Sequence, residues 1–211
     1  MKLSTRLQMI ADMVGITESI ADVGTDHGWI PIYLIVNGKV DHAIAMDIAK
    51  GPLERAVQHI TELGLNDKIE CRISDGMNCL AANEVNCAVI AGMGGDLIAH
   101  IIAEDSDKVS ELIVSPHTHP ELVRETLLSN GYTITDECSC LDSDKFYVVI
   151  KAEKGIGREL LAEEYYFGPV LLNKKDSTLY TFLLKKLEQF SDIEQKKDYI
   201  ELIQKALKHY N

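Results

Sequence analysis

The sequence predicts an α/β fold with a mostly parallel sheet covered by helices on both faces. Two observations carry that prediction. Short β-branched apolar runs alternate with helical-period segments through residue 131, and the informative polar residues follow directly after the apolar runs. A third observation concerns the end of the chain. From Asn173 onward there is no strand signal, only two helical seams.

The elements read in order. Leu3, Leu7, Ile10, Ala11 and Val14 lie at helical spacing and end at Gly15. Ser19–Gly24 reads as a buried strand running into a glycine turn. Trp29–Val36 is apolar nearly all round and suits a helix packed on a sheet. His42–Asp47 is the second strand, and Pro52–Leu63 is a helix with Gly64 as its C-cap. Lys68–Ile73, Asn86–Ala91 and Glu111–Val114 are the third to fifth strands, with a helix over Asp96–Ala103. A helix over Pro120–Ser129 closes at Asn130-Gly131. Tyr132–Leu141 and Lys145–Ala152, joined by Asp142-Ser143-Asp144, form a hairpin that adds two antiparallel strands and makes seven. The pattern changes near Gly155. Leu179, Phe182, Leu183, Leu187 and Phe190 form one seam; Ile193, Tyr199, Ile200, Ile203 and Leu207 form another. They predict a coiled-coil-like helical hairpin and a division into residues 1–155 and 156–211.

The chain has 211 residues and a formal net charge of −12, which argues against a generic nucleic-acid binder. The charge is uneven. Residues 1–150 carry 10 Lys/Arg against 23 Asp/Glu, whereas residues 151–211 carry 11 against 10. Only the tail is not strongly acidic; composition alone favours a solvated helical tail of mixed charge, with a surface for a polyanionic partner as the alternative. No apolar run reaches the roughly 18–20 residues of a membrane span, and Met1–Arg6 lacks a signal-peptide core. The expectation is a cytoplasmic protein with no membrane association. The five cysteines form no CxxC and read as reduced, buried thiols. No oligomeric state is signalled.

The candidate site lies in the loops after the strands, where open α/β sheets bind ligands. Gly24 and Gly28 permit a tight turn and close approach of a ligand. Asp47, 19 residues beyond Gly28, is placed to accept ribose hydroxyls. Asp22 and Asp26 flank the turn. A carboxylate ~5 Å from a pyrophosphate charge would cost about 3 kcal/mol. S-adenosylmethionine (SAM) carries an ammonium and a sulfonium instead, so the acidity favours SAM over NAD. Asp75-Gly76 after the third strand is suited to an adenine amino group and ring. Ala91-Gly92-Met93-Gly94-Gly95 reads equally as a segment that removes bulk where a flat substrate would approach and as a glycine-rich strand-to-helix turn. His27 lies within the first turn and reads equally as a helix-entry residue. His117 and His119 sit beside a strand end, but two histidines without a third ligand do not make a metal site; no metal is expected.

These segments resemble a known family. Leu3–Leu7, Ala21–His27, Gly51-Pro52, Ser74–Gly76, Ile90–Gly95, Asp144–Tyr147 and Tyr165–Leu172 are similar to those of the bacterial tRNA (adenine-22-N1)-methyltransferases, the TrmK family. The resemblance implies a Rossmann-like, seven-stranded class I methyltransferase domain with a C-terminal helical domain. It implies SAM as cofactor, tRNA as partner, and methyl transfer to N1 of adenine 22. By position, Asp22, Gly24, Asp26, His27, Asp47, Asp75, Gly76 and Ala91–Gly95 (Ala91, Gly92, Met93, Gly94, Gly95) would line the cofactor site. Arg6 and His117 would face the substrate, and Lys174, Lys175, Lys185 and Lys186 would meet phosphates, with Lys196 and Lys197 as further candidates. One departure stands out. Many members read Gln-Pro-Asn where this chain has Ser115-Pro116-His117, so an amide contact to the base cannot be carried over. The competing readings are a small-molecule methyltransferase, an NAD-dependent oxidoreductase and a non-catalytic nucleotide-binding module.

Overall fold

The computed structural model describes residues 2–191 and 193–211. Seven strands form one sheet in the order β3-β2-β1-β4-β5-β7-β6. They are β1 (Thr17–Val23), β2 (Val40–Asp47), β3 (Ile69–Ile73), β4 (Cys87–Ala91), β5 (Glu111–Ser115), β6 (Tyr132–Asp142) and β7 (Lys145–Lys154). The first five are parallel, and β7 runs antiparallel between β5 and β6. The helices are α1 (Thr5–Met13), α2 (Trp29–Val36), α3 (Lys50–Glu62), α4 (Gly95–Asp105), α5 (Pro120–Ser129), α6 (Ala162–Phe167), α7 (Pro169–Asn173), α8 (Ser177–Phe190) and α9 (Lys197–Lys208). Every predicted strand and helix is present; ends shift by up to two residues, except that the last helix begins at Lys197, four residues after the predicted Ile193.

Side chains alternate across the sheet, which sorts the core into two layers. On β5, Leu112 and Val114 face one layer and Ile113 the other; on β7, Ile150 and Val149 divide in the same way. The layer holding Ile113 is closed by Ile10 of α1, Ile32 and Leu34 of α2, and Ala56 and Ile60 of α3. The opposite layer is closed by Ile98 and Ile102 of α4 and by Val123 and Leu127 of α5. All five cysteines are free, but only Cys87 is fully buried; the other four are half-buried, and burial pushes the Cys138 thiol up to about 12.

The C-terminal helices continue this second layer. Phe167, Leu171, Leu179, Leu183, Ile203 and Ala206 belong to the same apolar cluster as Tyr132 and Ile150. The predicted pair of long helices is there as α8 and α9. Two short helices precede it, and all four are docked on the molecule. The attachment has a polar centre. Arg124 Nε of α5 donates to Glu137 Oε1 of β6 at 2.8 Å, and both side chains are buried. Arg124 Nη1 donates to the Tyr165 carbonyl at 2.6 Å, and Glu137 Oε2 accepts from Val170 N at 2.9 Å. Gly168 turns the chain there at φ +95°. A Cβ on it would lie 2.5 Å from Glu137 Oε2, so no larger residue fits.

Candidate active site

A cavity of about 560 Å³ opens at the carboxyl ends of β1, β2 and β4. Sheet order reverses between β1 and β4, the place where open α/β sheets hold ligands. Asp22, Gly24, Asp26, His27, Asp47, Asp75, Gly76, Ala91, Gly92 and Met93 line it, as does Arg6 of α1.

Asp22 is buried at the end of β1, and its Oδ2 accepts from Thr25 Oγ1 at 2.6 Å. Burial raises its carboxyl to about 6; the Thr25 bond opposes the rise and the Asp47 charge adds to it. Gly24 follows at φ +75°, and a Cβ there would lie 2.8 Å from Met93 Cε. The next strand end supplies Asp47, whose Oδ1 accepts from Ala49 N at 2.8 Å and fixes the turn into α3. Beyond β3, the Ser74 hydroxyl donates to Gly76 O at 3.0 Å and accepts from Cys79 N at 3.2 Å. That hydroxyl shapes the turn carrying Asp75.

Asp26 departs from the role its charge suggested. It pairs with Arg55 of α3 at 2.5 Å, so its carboxylate is partly neutralised from within the protein. The case for SAM on charge therefore rests on Asp22, Asp47 and Asp75. His27 stacks in a row with Trp29 and His59, the latter two rings 4.3 Å apart. Its Nδ1 is buried, with no hydrogen-bond partner among the described residues. A buried polar atom in a cavity wall is costly unless a ligand completes it.

The glycine loops divide by task. Gly92, at φ +82°, lines the cavity close to Arg6. Gly94 and Gly95 lie outside it. A Cβ on Gly95 would stand 2.2 Å from Thr118 O and one on Gly94 3.3 Å from Thr118 Oγ1, so both seat α4 against the loop after β5. Gly28 caps α2 at φ +72° and packs on Ala56 of α3; it too makes no wall of the cavity. The loop after β5 holds the two histidines apart. His119 Nδ1 meets Asp96 at 2.7 Å, which raises its pKa, while His117 Nε2 meets Arg6 Nη1 at 3.0 Å. Among the described residues, no three His, Cys, Asp or Glu side chains are grouped to hold a metal ion, and no helix is long and apolar enough to cross a membrane.

A second, larger opening of about 960 Å³ lies between the β6–β7 hairpin and the C-terminal helices. Phe146, Tyr147, Phe182 and Tyr199 line it together with Lys185 and Lys186. Phe146 stacks on Phe182 at 4.3 Å, and Lys186 Nζ lies over the Phe182 and Phe190 rings at 5.6 and 5.1 Å. Lys196 Nζ also lies over the Phe190 ring, 5.5 Å from its centre. Lys174 and Lys175 are placed elsewhere: Lys174 is paired with Asp136, and Lys175 Nζ donates to the Asn211 carbonyl at 3.3 Å. Sequence reasoning missed Tyr147, Phe182, Arg55 and His59 as parts of the site. It also missed Ile48 and Leu97, exposed apolar side chains on the cavity wall. An apolar residue directly after an acidic strand end, as in Asp47-Ile48, was the available signal.

The doubly wound sheet and this acidic strand-end cavity define a class I SAM-dependent methyltransferase. The tRNA (adenine(22)-N(1))-methyltransferase family profile matches residues 20–209. The curated tRNA (adenine(22)-N(1))-methyltransferase of Bacillus subtilis is 32% identical over 99% of this chain and 98% of its own. A Streptococcus pneumoniae protein crystallised with S-adenosyl-L-methionine is 31% identical, with a TM-score of 0.91 over 98% of this chain and 100% of that one. The M. capricolum TrmK structure holds S-adenosyl-homocysteine and is 28% identical, with a TM-score of 0.90 over 99% of each chain. The chain belongs to the TrmK family of tRNA (adenine(22)-N(1))-methyltransferases. Membership sets aside the NAD-dependent and non-catalytic readings.

Proposed function

We propose that the chain methylates N1 of adenine 22 in tRNA, with SAM held in the strand-end cavity and the RNA laid along the basic, aromatic groove. The observation that carries this reading is the junction of the two compartments: Arg6 lines the cofactor cavity and bonds to His117, which lines the groove. When bound, SAM supplies a methyl group on a sulfonium. The residues present fit it. Asp47 is suited to the ribose hydroxyls and Asp75 with the Gly76 turn to the adenine. The ionised Asp22 and the unpartnered His27 Nδ1 suit the polar amino-acid end. N1 of neutral adenine carries a free lone pair, so no base need act before attack. The protein's contribution is to hold base and methyl donor in near-attack range, worth up to ~7–11 kcal/mol in favourable cases.

In this reading residues 1–155 form the cofactor-binding unit and residues 156–211 the RNA-facing unit. Lys185 and Lys186 are the best-placed phosphate contacts, and the enzyme meets its tRNA in the cytoplasm. Titration with S-adenosylhomocysteine, followed by methylation of tRNA transcripts lacking the modification, tests the reading. Methyl incorporation at adenine 22, lost in a transcript carrying guanine there, is the expected result. Cofactor binding without methylation of any tRNA would return the small-molecule alternative.

A further inference from the structure

Three side chains from distant segments meet where the cofactor cavity joins the groove: Arg6 of α1, His117 of the loop after β5 and Tyr147 of β7. The Arg6 guanidinium lies 5.5 Å from the centre of the Tyr147 ring, and His117 meets that ring edge-on at 5.7 Å. The group touches both compartments. A Cβ on Gly92 would lie 3.9 Å from Arg6 Nη1, and the His117 main-chain N donates to Met93 O at 3.0 Å. Arginine can only donate, so His117 Nε2 accepts from it; in the neutral ring the proton then sits on Nδ1.

We propose that Arg6, His117 and Tyr147 position the target adenine, with Tyr147 offering its ring and His117 Nδ1–H donating to a ring nitrogen of the base other than N1. This rests on the tRNA methyltransferase reading above. The attacking N1 must stay free, so a donor aimed at another acceptor nitrogen orients the base without blocking the reaction. Arg6 acts through His117 by fixing its tautomer. Burial, Arg6 and Lys145 all lower the His117 pKa. The carboxylate beside Arg6, Asp142, accepts from the Arg6 main-chain N at 3.1 Å. The base gains positive charge as N1 takes the methyl, and an aromatic face favours that charge while a neutral His117 does not oppose it. Protonated His117 would lose the Arg6 bond and place a second cation beside the first.

The test uses the full chain, unmodified tRNA transcripts and S-adenosylhomocysteine calorimetry. Single-turnover methylation is followed across the window where histidine titrates, about pH 5 to 8. Tyr147→Leu should lower the methylation rate about tenfold or more, the scale of one lost base–aromatic contact, with S-adenosylhomocysteine affinity within about twofold of the parent. Tyr147→Phe should restore most of the rate, because the ring is kept. With the cofactor saturating at every pH, so that Asp22 does not limit the rate, His117→Asn should lower the plateau rate severalfold and flatten the acid limb of the rate profile, since the amide does not titrate. A Tyr147→Leu rate within about twofold of the parent, or an unchanged acid limb in His117→Asn, would overturn the proposal. A parent protein that binds S-adenosylhomocysteine yet leaves adenine 22 unmethylated would overturn the underlying reading instead.

Discussion

Asp22, Asp47 and Asp75, the acids of the cofactor cavity, each lie in or within two residues of a strand. The groove beside it takes its rings from β7, α6, α8 and α9, between Phe146 and Tyr199. The two compartments share Arg6–His117 as a wall, yet one is acidic and held by backbone turns while the other is basic and held by side-chain stacking. A cavity at the carboxyl ends of interior strands has its carboxylates placed before any ligand arrives, because strand pairing sets where each one stands. A groove between a hairpin and docked helices depends on tertiary packing for its shape. Tight recognition of a small cationic cofactor suits the first, and an extended polyanion suits the second.

Substitutions confined to one side should leave the other untouched. The largest effect is expected from Asp47→Ala, which removes a charged acceptor for two hydroxyls. It should weaken S-adenosylhomocysteine binding by about 2–3 kcal/mol in calorimetry, with tRNA affinity unchanged. Asp22→Asn separates binding from stability. The Asp22 pKa is raised from 3.8 to about 6, so between those values the folded state holds more protons than the unfolded chain. Stability therefore falls as pH rises through that window. Removing the charge should stabilise the unliganded protein at pH 7 by up to about 3 kcal/mol in urea unfolding, while S-adenosylhomocysteine binding weakens. On the groove side, Lys185→Ala with Lys186→Ala should reduce tRNA affinity about tenfold and flatten its salt dependence by one to two counterions, roughly. Lys174→Ala, which removes a lysine already paired with Asp136, should change tRNA affinity by less than about twofold. Equal losses from the two sets would erase the distinction between groove and surface.

The cofactor side was legible in the sequence because its parts are local. A strand, a glycine and an acid recur as a short string, and strand order does the rest. What strings could not reveal was pairing at a distance. Arg55 neutralises Asp26 from 29 residues away, and Gly95 answers to Thr118 rather than to a ligand. The groove was nearly invisible for the same reason. Phe146 and Phe182 read as separate apolar positions, and only the docking of α8 on the hairpin makes them a stacked pair. The lysine pairs are equivalent in sequence, yet their place on the groove and the partners that hold Lys174 and Lys175 single out Lys185 and Lys186. The tail read as an independent hairpin because its seams are helical on their own terms. Its attachment runs through Arg124, Glu137 and Gly168, three residues with no common motif.

That attachment bears on how the molecule comes apart. Arg124 and Glu137 are buried between the sheet and the C-terminal helices, and removing one partner of such a pair typically costs about 3–5 kcal/mol. Both charges belong to residues 1–155, and the C-terminal helices cover them and bond to them through the Tyr165 carbonyl and Val170 N. Thermal or urea unfolding should therefore follow one cooperative transition, with helical and sheet signals lost together. A tail docked over this pair would expose an uncompensated buried charge if it swung out as a tether to capture RNA. If that single transition is found, the tail stands as one preformed surface with the sheet, and any bending needed to bring a tRNA adenine to the cofactor would fall on the nucleic acid.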